Sequence, residues 1–300
     1  MQAIKGGYWP SWAYSYLPPS SINTSYFTHI YYAFLAPNNM TYKFNIDDET
    51  ASMLVNFTST LRYSKNPPVK SIYSVGGAAE GPILFARMAS CPLSRQRFIH
   101  SSIEVGRKFG FDGIDLDWEH PLGPKEMEDY GILLDEWRKE IQKEAMQTSR
   151  PPLLLTAAVY YPAEFDSDVK RIYPSESMNK NLDWINAMTY DYHGISREKL
   201  IMGLPIYGRS WKLKDPMVYE IGAPVVDVGP GFNGTGVMTY AEIPEYNMQN
   251  TNATVVYDSD TVSTYSVFGT DWIGYDDTRS IAARFVMLKL KPLVVTSFGH

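Results

Sequence analysis

Asp112-Gly113-Ile114-Asp115-Leu116-Asp117-Trp118-Glu119 is the stretch that decides the fold. Asp115, Asp117 and Glu119 are spaced i, i+2, i+4. Side chains alternate between the faces of a β-strand, so this spacing puts three carboxylates on one side and Ile114, Leu116 and Trp118 on the other. Three large apolar residues on the alternate face argue against a solvated edge. The pattern suits a strand of a closed barrel, with its apolar face against an outer layer of helices and its acidic face toward the interior. Alternating aspartates also suggest a calcium loop, but that fails on geometry. Counted from Asp115, Glu126 would be the twelfth ligand position, while His120 replaces the glycine needed at the sixth and Pro121 and Pro124 interrupt the loop.

The flanking sequence repeats short apolar runs followed by amphipathic segments, the order that builds a parallel sheet. Strands are expected at Ile4–Trp9, His29–Leu35, Lys70–Val75, Gly113–Trp118, Leu153–Val159, Trp184–Tyr190, Leu200–Leu204 and Leu293–Phe298. Helices are expected at Asp48–Arg62, Ser94–Phe109 with Gly110 as its stop, Lys125–Met146 and Asp277–Lys289. Eight strands in this order predict an α/β fold of the (β/α)8 TIM-barrel kind. Seven strands are complete by residue 204. The interval 212–270 therefore reads as a small α+β insertion, with short strands at Val237–Tyr240 and Ala253–Val256, and the barrel as 1–211 with 271–300.

Composition narrows the function. The chain has 300 residues and a net charge of −6 without a basic run, which gives a nucleic-acid backbone nothing to bind. No run of about 18 apolar residues exists to cross a membrane. The 22 tyrosines and 7 tryptophans are rings on which sugars can stack, although most will fill a core. Cys91 is the single cysteine, which rules out an internal disulfide. Five N-x-S/T sequons, at Asn23, Asn39, Asn56, Asn233 and Asn252, favour a secreted protein. The start, Met1 to Lys5, has no apolar leader core, so any signal peptide is expected to be absent from this chain. No metal or cofactor is expected, and the chain is expected to be a monomer.

Barrel active sites lie at the carboxyl ends of the strands, which makes Glu119, last of the acidic row, the group nearest to substrate. Carboxylates about 7 Å apart inside a barrel resist full ionisation, so a proton should be retained near neutral pH. A protonated glutamic acid is what general-acid cleavage of a glycosidic bond requires.

With these residues in hand, Asp112-x-x-Asp115-x-Asp117-x-Glu119 resembles the DxxDxDxE signature of family 18 glycoside hydrolases, and among them the plant class V chitinases. KGGYWP (5–10), SVGGA (74–78), LLLTAAV (153–159), NLDWINAMTYDYHG (181–194), GLPIYGRSW (203–211), MTYAEI (238–243) and WIGYDD (272–277) resemble further family segments in the same order. The resemblance implies a retaining hydrolase acting on β-1,4 bonds of chitin and N-acetylglucosamine oligosaccharides. In it Glu119 is the acid, and the substrate's own acetamido carbonyl attacks the anomeric carbon, a recognised exception to the two-carboxylate scheme. Asp117 would orient the acetamido group, exchanging hydrogen bonds with Asp115 and Glu119. Tyr190 would donate to the acetamido oxygen. Met188 and Asp191 would line that subsite, with Tyr8, Phe34, Gly77 and Arg209 shaping the cleft. On residues alone, Tyr8 and Phe34 read equally well as ordinary strand aromatics, and Gly76-Gly77 as a tight turn.

Two features depart from the family pattern. Only seven residues separate Tyr192 from Leu200, fewer than the ten to twelve or so that a parallel crossover needs, so the sixth helix is expected to be missing. The last strand is followed by Gly299 and His300 alone, so a final helix is also expected to be missing, and no tryptophan follows Trp272 to floor the sugar site. These departures leave an incomplete barrel, and a catalytically impaired, lectin-like chitin binder or a truncated splice variant, as the competing expectations.

Overall fold

The computed structural model describes residues 4–64, 68–160, 172–188, 200–283 and 294–299. Eight strands run through the first architecture: β1 Gly6–Pro10, β2 His29–Leu35, β3 Lys70–Gly76, β4 Gly113–Asp117, β5 Leu154–Val159, β6 Trp184–Ala187, β7 Leu200–Pro205 and, late in the chain, β14 Val294–Gly299. They close in the order β1-β14-β7-β6-β5-β4-β3-β2, and the neighbouring pairs from β1 through β6 to β7 are parallel. The expected eight-stranded α/β barrel is therefore present and its strand complement closes. The missing sixth helix was expected within residues 193–199, which lie outside the described residues, as does the interval 284–293.

Helices cover the outer face. Helix α1 (Asp48–Arg62) starts where the Asp47 carboxylate accepts from the Thr50 amide at 2.7 Å, carries Asp48 and Glu49 in its first turn and ends on Arg62, as capping and the helix dipole require. Helices α2 (Gly81–Ala89), α3 (Pro92–Phe109) and α4 (Pro124–Thr148) follow, and α5 (Ser175–Asn181) adds two turns. Ile114, Leu116 and Trp118 join the core formed with these helices. The Trp118 ring lies 5.9 Å from Phe85 of α2 and 5.7 Å from Tyr130 of α4. Inside the barrel, Tyr31, Ile72 and Trp184 form a separate apolar layer.

The chain divides into two compact units, Met1–Gly203 with Leu293–Ser297, and Leu204–Pro292 with Phe298–His300. The second unit holds a six-stranded antiparallel sheet. Its strands are β8 (Tyr207–Leu213), β9 (Val225–Val228), β10 (Val237–Thr239), β11 (Thr254–Asp258), β12 (Ser263–Phe268) and β13 (Asp271–Tyr275), ordered β10-β8-β13-β12-β11 with β9 on β8. Helix α6 (Glu242–Gln249) buries Ile243 against Met238 and Ile273. Residues 278–283 are helical, and the Asp277 carboxylate caps this turn by accepting from the Arg279 and Ser280 amides.

Candidate active site

The acidic row is built as its spacing demands, with one adjustment. Strand β4 pairs with β5 as far as Leu116 and with β3 as far as Asp117, so Glu119 stands two residues beyond the last ladder position. It leaves the sheet at the carboxyl rim. Exposure rises along the row: Asp115 is wholly buried, Asp117 is 4% exposed, and the Glu119 side chain is 23% exposed.

Asp115 is held by four donors. Thr156 Oγ1 (2.5 Å) and Asn186 Nδ2 (3.1 Å) donate to Oδ1, while Ser74 Oγ (2.7 Å) and the Tyr8 hydroxyl (2.9 Å) donate to Oδ2. Register explains the convergence, since Ser74, Asp115 and Thr156 are direct cross-strand neighbours. Burial raises the Asp115 carboxyl above its ordinary value, and the four donors pull it back. Asp117 differs: its Oδ1 is buried with no hydrogen-bond partner among the described residues. Burial, then the neighbouring Glu119 and Asp115 carboxylates, push it well above the ordinary range. A shell of four donors favours the charged form of Asp115, whereas burial without a partner for Oδ1 favours the neutral form of Asp117. Glu119 is raised by burial alone.

Replacing Thr156 by valine keeps the shape and removes one donor from this buried anion. Stability is expected to fall by about 1–3 kcal/mol, measured by urea denaturation.

The two glycines of SVGGA have a structural task beyond a turn. Gly76 has φ +114°, and a Cβ there would lie 2.2 Å from the Asp117 carbonyl oxygen. Gly77 has φ +84°, donates its amide to the same carbonyl at 2.9 Å, and a Cβ on it would meet the Phe34 ring at 2.8 Å. Their bareness lets β3 close onto the backbone that carries Asp117. Gly76→Ala must move one strand or the other. It is expected to lower stability by more than the roughly 1–3 kcal/mol of the unfavourable dihedral alone, read as a drop in thermal midpoint.

Among the remaining expected residues, Tyr8 is both a site group and a strand aromatic. Its hydroxyl binds Asp115 and accepts from Asn186 Nδ2 at 2.9 Å, and its ring stacks on Tyr31 at 4.5 Å. Phe34 is half-buried, 6.4 Å from Tyr8. Met188 follows the last residue of β6, its amide donating to the Val159 carbonyl. Arg209 belongs to the second unit, where it is exposed on β8 with its guanidinium 5.9 Å from the Tyr207 ring. Tyr190 and Asp191 lie outside the described residues. His29 is buried edge-on to Trp184, and its imidazole is lowered to about 4, first by burial and then by Lys70.

Sequence reasoning named no role for Ser74, Thr156, Asn186 or Trp12. The first three carried a signal, each being a polar residue on the inward register of its strand. Trp12 lies just past β1, is 61% exposed, and stacks on Phe34 at 6.3 Å with 24° between the rings. Trp12, Phe34, Tyr8 and Tyr31 thus form a row of rings running from solvent to the buried interior. Among the described residues no cluster of His, Cys, Asp and Glu could hold a metal ion, and no helix is long and apolar enough to cross a membrane.

An inward acidic row at the rim beside a graded line of aromatic rings is the arrangement of a site that protonates a ligand while stacking it. The family model for glycosyl hydrolases family 18 matches residues 5–294. The chain belongs to that family. This member is 45% identical to Nod factor hydrolase protein 1 of Medicago truncatula, over 94% of the chain and 81% of the relative. It is 44% identical to the class V chitinase CHIT5b of the same plant, over 96% and 84%. These alignments run over 318 and 324 residues, more than the 300 present here, so both relatives carry internal residues that this family member lacks. The crystal structure of the class V chitinase from Nicotiana tobaccum superposes with a TM-score of 0.91 at 34% identity, covering 100% of this chain and 94% of that one. A mutant of that chitinase has been crystallised in complex with NAG4. The fold and the glycoside hydrolase assignment expected from the sequence are thereby established.

Proposed function

We propose that the chain hydrolyses β-1,4 linkages in chitin and N-acetylglucosamine oligosaccharides with net retention, by substrate-assisted catalysis. The observation that carries this is the unequal treatment of the acidic row: Asp115 saturated by four donors, Asp117 buried with Oδ1 unpartnered among the described residues, and Glu119 raised and reaching the rim. Glu119 delivers its proton to the glycosidic oxygen as the substrate's acetamido oxygen attacks the anomeric carbon. That ring closure gives the acetamido nitrogen positive character, and Asp117 offers its Oδ1 to the N–H. As Asp117 takes up negative charge, its proton is drawn toward the already anionic Asp115, whose donors can loosen to share it. Glu119, now a carboxylate, activates the water that opens the intermediate.

By the resemblance of the MTYD segment, Tyr190 donates to the acetamido oxygen and Met188 and Asp191 line the same subsite. Trp12, Phe34 and Tyr8 supply rings against which successive sugars lie, and Gly77 keeps the wall beside Phe34 thin. The oligosaccharide complex of the similar tobacco enzyme supports this class of ligand. The sequons favour a secreted or vacuolar destination, and the chain acts as a monomer.

The direct test is incubation of the purified chain with N-acetylglucosamine tetramer and hexamer, with products resolved by chromatography. Shorter oligosaccharides are expected. Saturable binding with no cleavage over hours would replace this reading by that of a lectin.

A further inference from the structure

The five sequons are not equivalent in the folded chain. Asn23, Asn39, Asn233 and Asn252 are exposed, and each lies in a turn or loop. Asn23 uses its Oδ1 to accept from the Ser25 amide (3.2 Å) and hydroxyl (2.6 Å), a turn that does not engage Nδ2. Asn39 sits in the turn after β2, where it is the neighbouring Asn38 that caps the turn by accepting from the Met40 and Thr41 amides. Asn233 and Asn252 occupy exposed turns of the second unit.

Asn56 is different on two counts. It lies inside α1, half-buried, and its Nδ2 donates to the Tyr14 hydroxyl at 2.6 Å while its Oδ1 accepts from Thr60 at 3.1 Å. The hydroxyl of its sequon, Thr58 Oγ1, is buried and donates to the Leu54 and Phe109 carbonyls, and Phe57 between them is wholly buried in the core. A sugar on Asn56 Nδ2 would occupy the place of Tyr14 and force α1 off the barrel.

We propose that Asn23, Asn39, Asn233 and Asn252 are N-glycosylation sites of the folded protein and that Asn56 is bare. In the modification, asparagine Nδ2 bonds to C1 of an oligosaccharide carried on a lipid pyrophosphate. The C1–oxygen bond to the pyrophosphate breaks, the lipid pyrophosphate leaves, and the amide nitrogen gives up one proton to the transferase. Transfer precedes folding, so a chain modified at Asn56 cannot seat α1 and is lost before export, whereas the four surface sites keep their glycans at no packing penalty.

The test is expression of the full chain behind a cleavable secretion leader in plant cells, followed by amidase release of the glycans in heavy-oxygen water and peptide mass spectrometry of the secreted, folded fraction. Peptides carrying Asn23, Asn39, Asn233 and Asn252 are expected as heavy-oxygen aspartate, and the Asn56 peptide as unmodified asparagine. Single Asn→Gln changes at the four sites should each remove one glycan step on a gel, and Asn56→Gln none. Substantial heavy-oxygen label at Asn56 in folded protein, or unmodified asparagine at the four surface sites, would overturn the proposal.

Discussion

Glu119→Gln is expected to reduce kcat on chitin oligosaccharides by about 10²–10⁴-fold with little change in the folded structure. The amide has the carboxyl group's shape but no proton to give. Glu119 lies past the end of β4 with its side chain partly exposed, so the exchange disturbs no ladder bond and leaves no core contact unmade. The two buried residues that precede it, Asp117 and Trp118, keep their places. Burial holds the native carboxyl above its ordinary value, which keeps the acid form populated to higher pH than a free glutamic acid would allow. Wild-type activity should therefore decline on the basic side as Glu119 loses its proton. Steady-state cleavage of the hexamer against pH, alongside circular dichroism of both proteins, checks each part.

Asp117→Asn has the second large expected effect, and its two halves point in opposite directions. Activity should fall by about 10²–10³-fold, because an amide cannot become the anion that faces the developing charge on the acetamido nitrogen. Stability should not fall with it. In the native state Asp117 binds its proton well above the ordinary carboxyl range, whereas in the unfolded chain it titrates near about 3.9. The folded form thus holds more protons than the unfolded form as pH rises between those two values, and the native protein loses stability across that window by about 1.4 kcal/mol per pH unit. Asparagine is neutral in both states and removes this loss. Urea denaturation at about pH 4 and about pH 7 should show the variant gaining on wild type at the higher pH. A variant that loses stability equally at both would show that Asp117 is ionised in the folded protein.

How far the sequence disclosed this site depends on whether the signal was local. Helix α1 was legible to the residue, because Asp47, Asp48, Glu49 and Arg62 mark its ends within its own sequence. The acidic row was legible because alternation fixes which residues share a face wherever the strand falls. Helix α2 was not: Gly81-Pro82-Ile83-Leu84-Phe85 shows no polar face, and its helicity comes from seating Phe85 and Met88 in the core. Strands β8, β12 and β13 were hidden among Gly, Thr and Tyr because antiparallel pairing with distant partners, such as Trp272 with Trp211, defines them. The four donors to Asp115 come from four strands, separated from it by 41 to 107 residues, and only closure of the barrel brings them together. Tyr8 could be named from its motif, but its bond to Asp115 could not.

In the proposed mechanism the substrate's acetamido group, held by Asp117, does the work of a second carboxylate while Glu119 supplies and reclaims the proton. Proton NMR of the first products released from an N-acetylglucosamine hexamer tests it most directly. New reducing ends are expected to appear as the β anomer and drift to the equilibrium mixture afterwards. Initial release of the α anomer would mean inversion through a directly attacking water, and would contradict it.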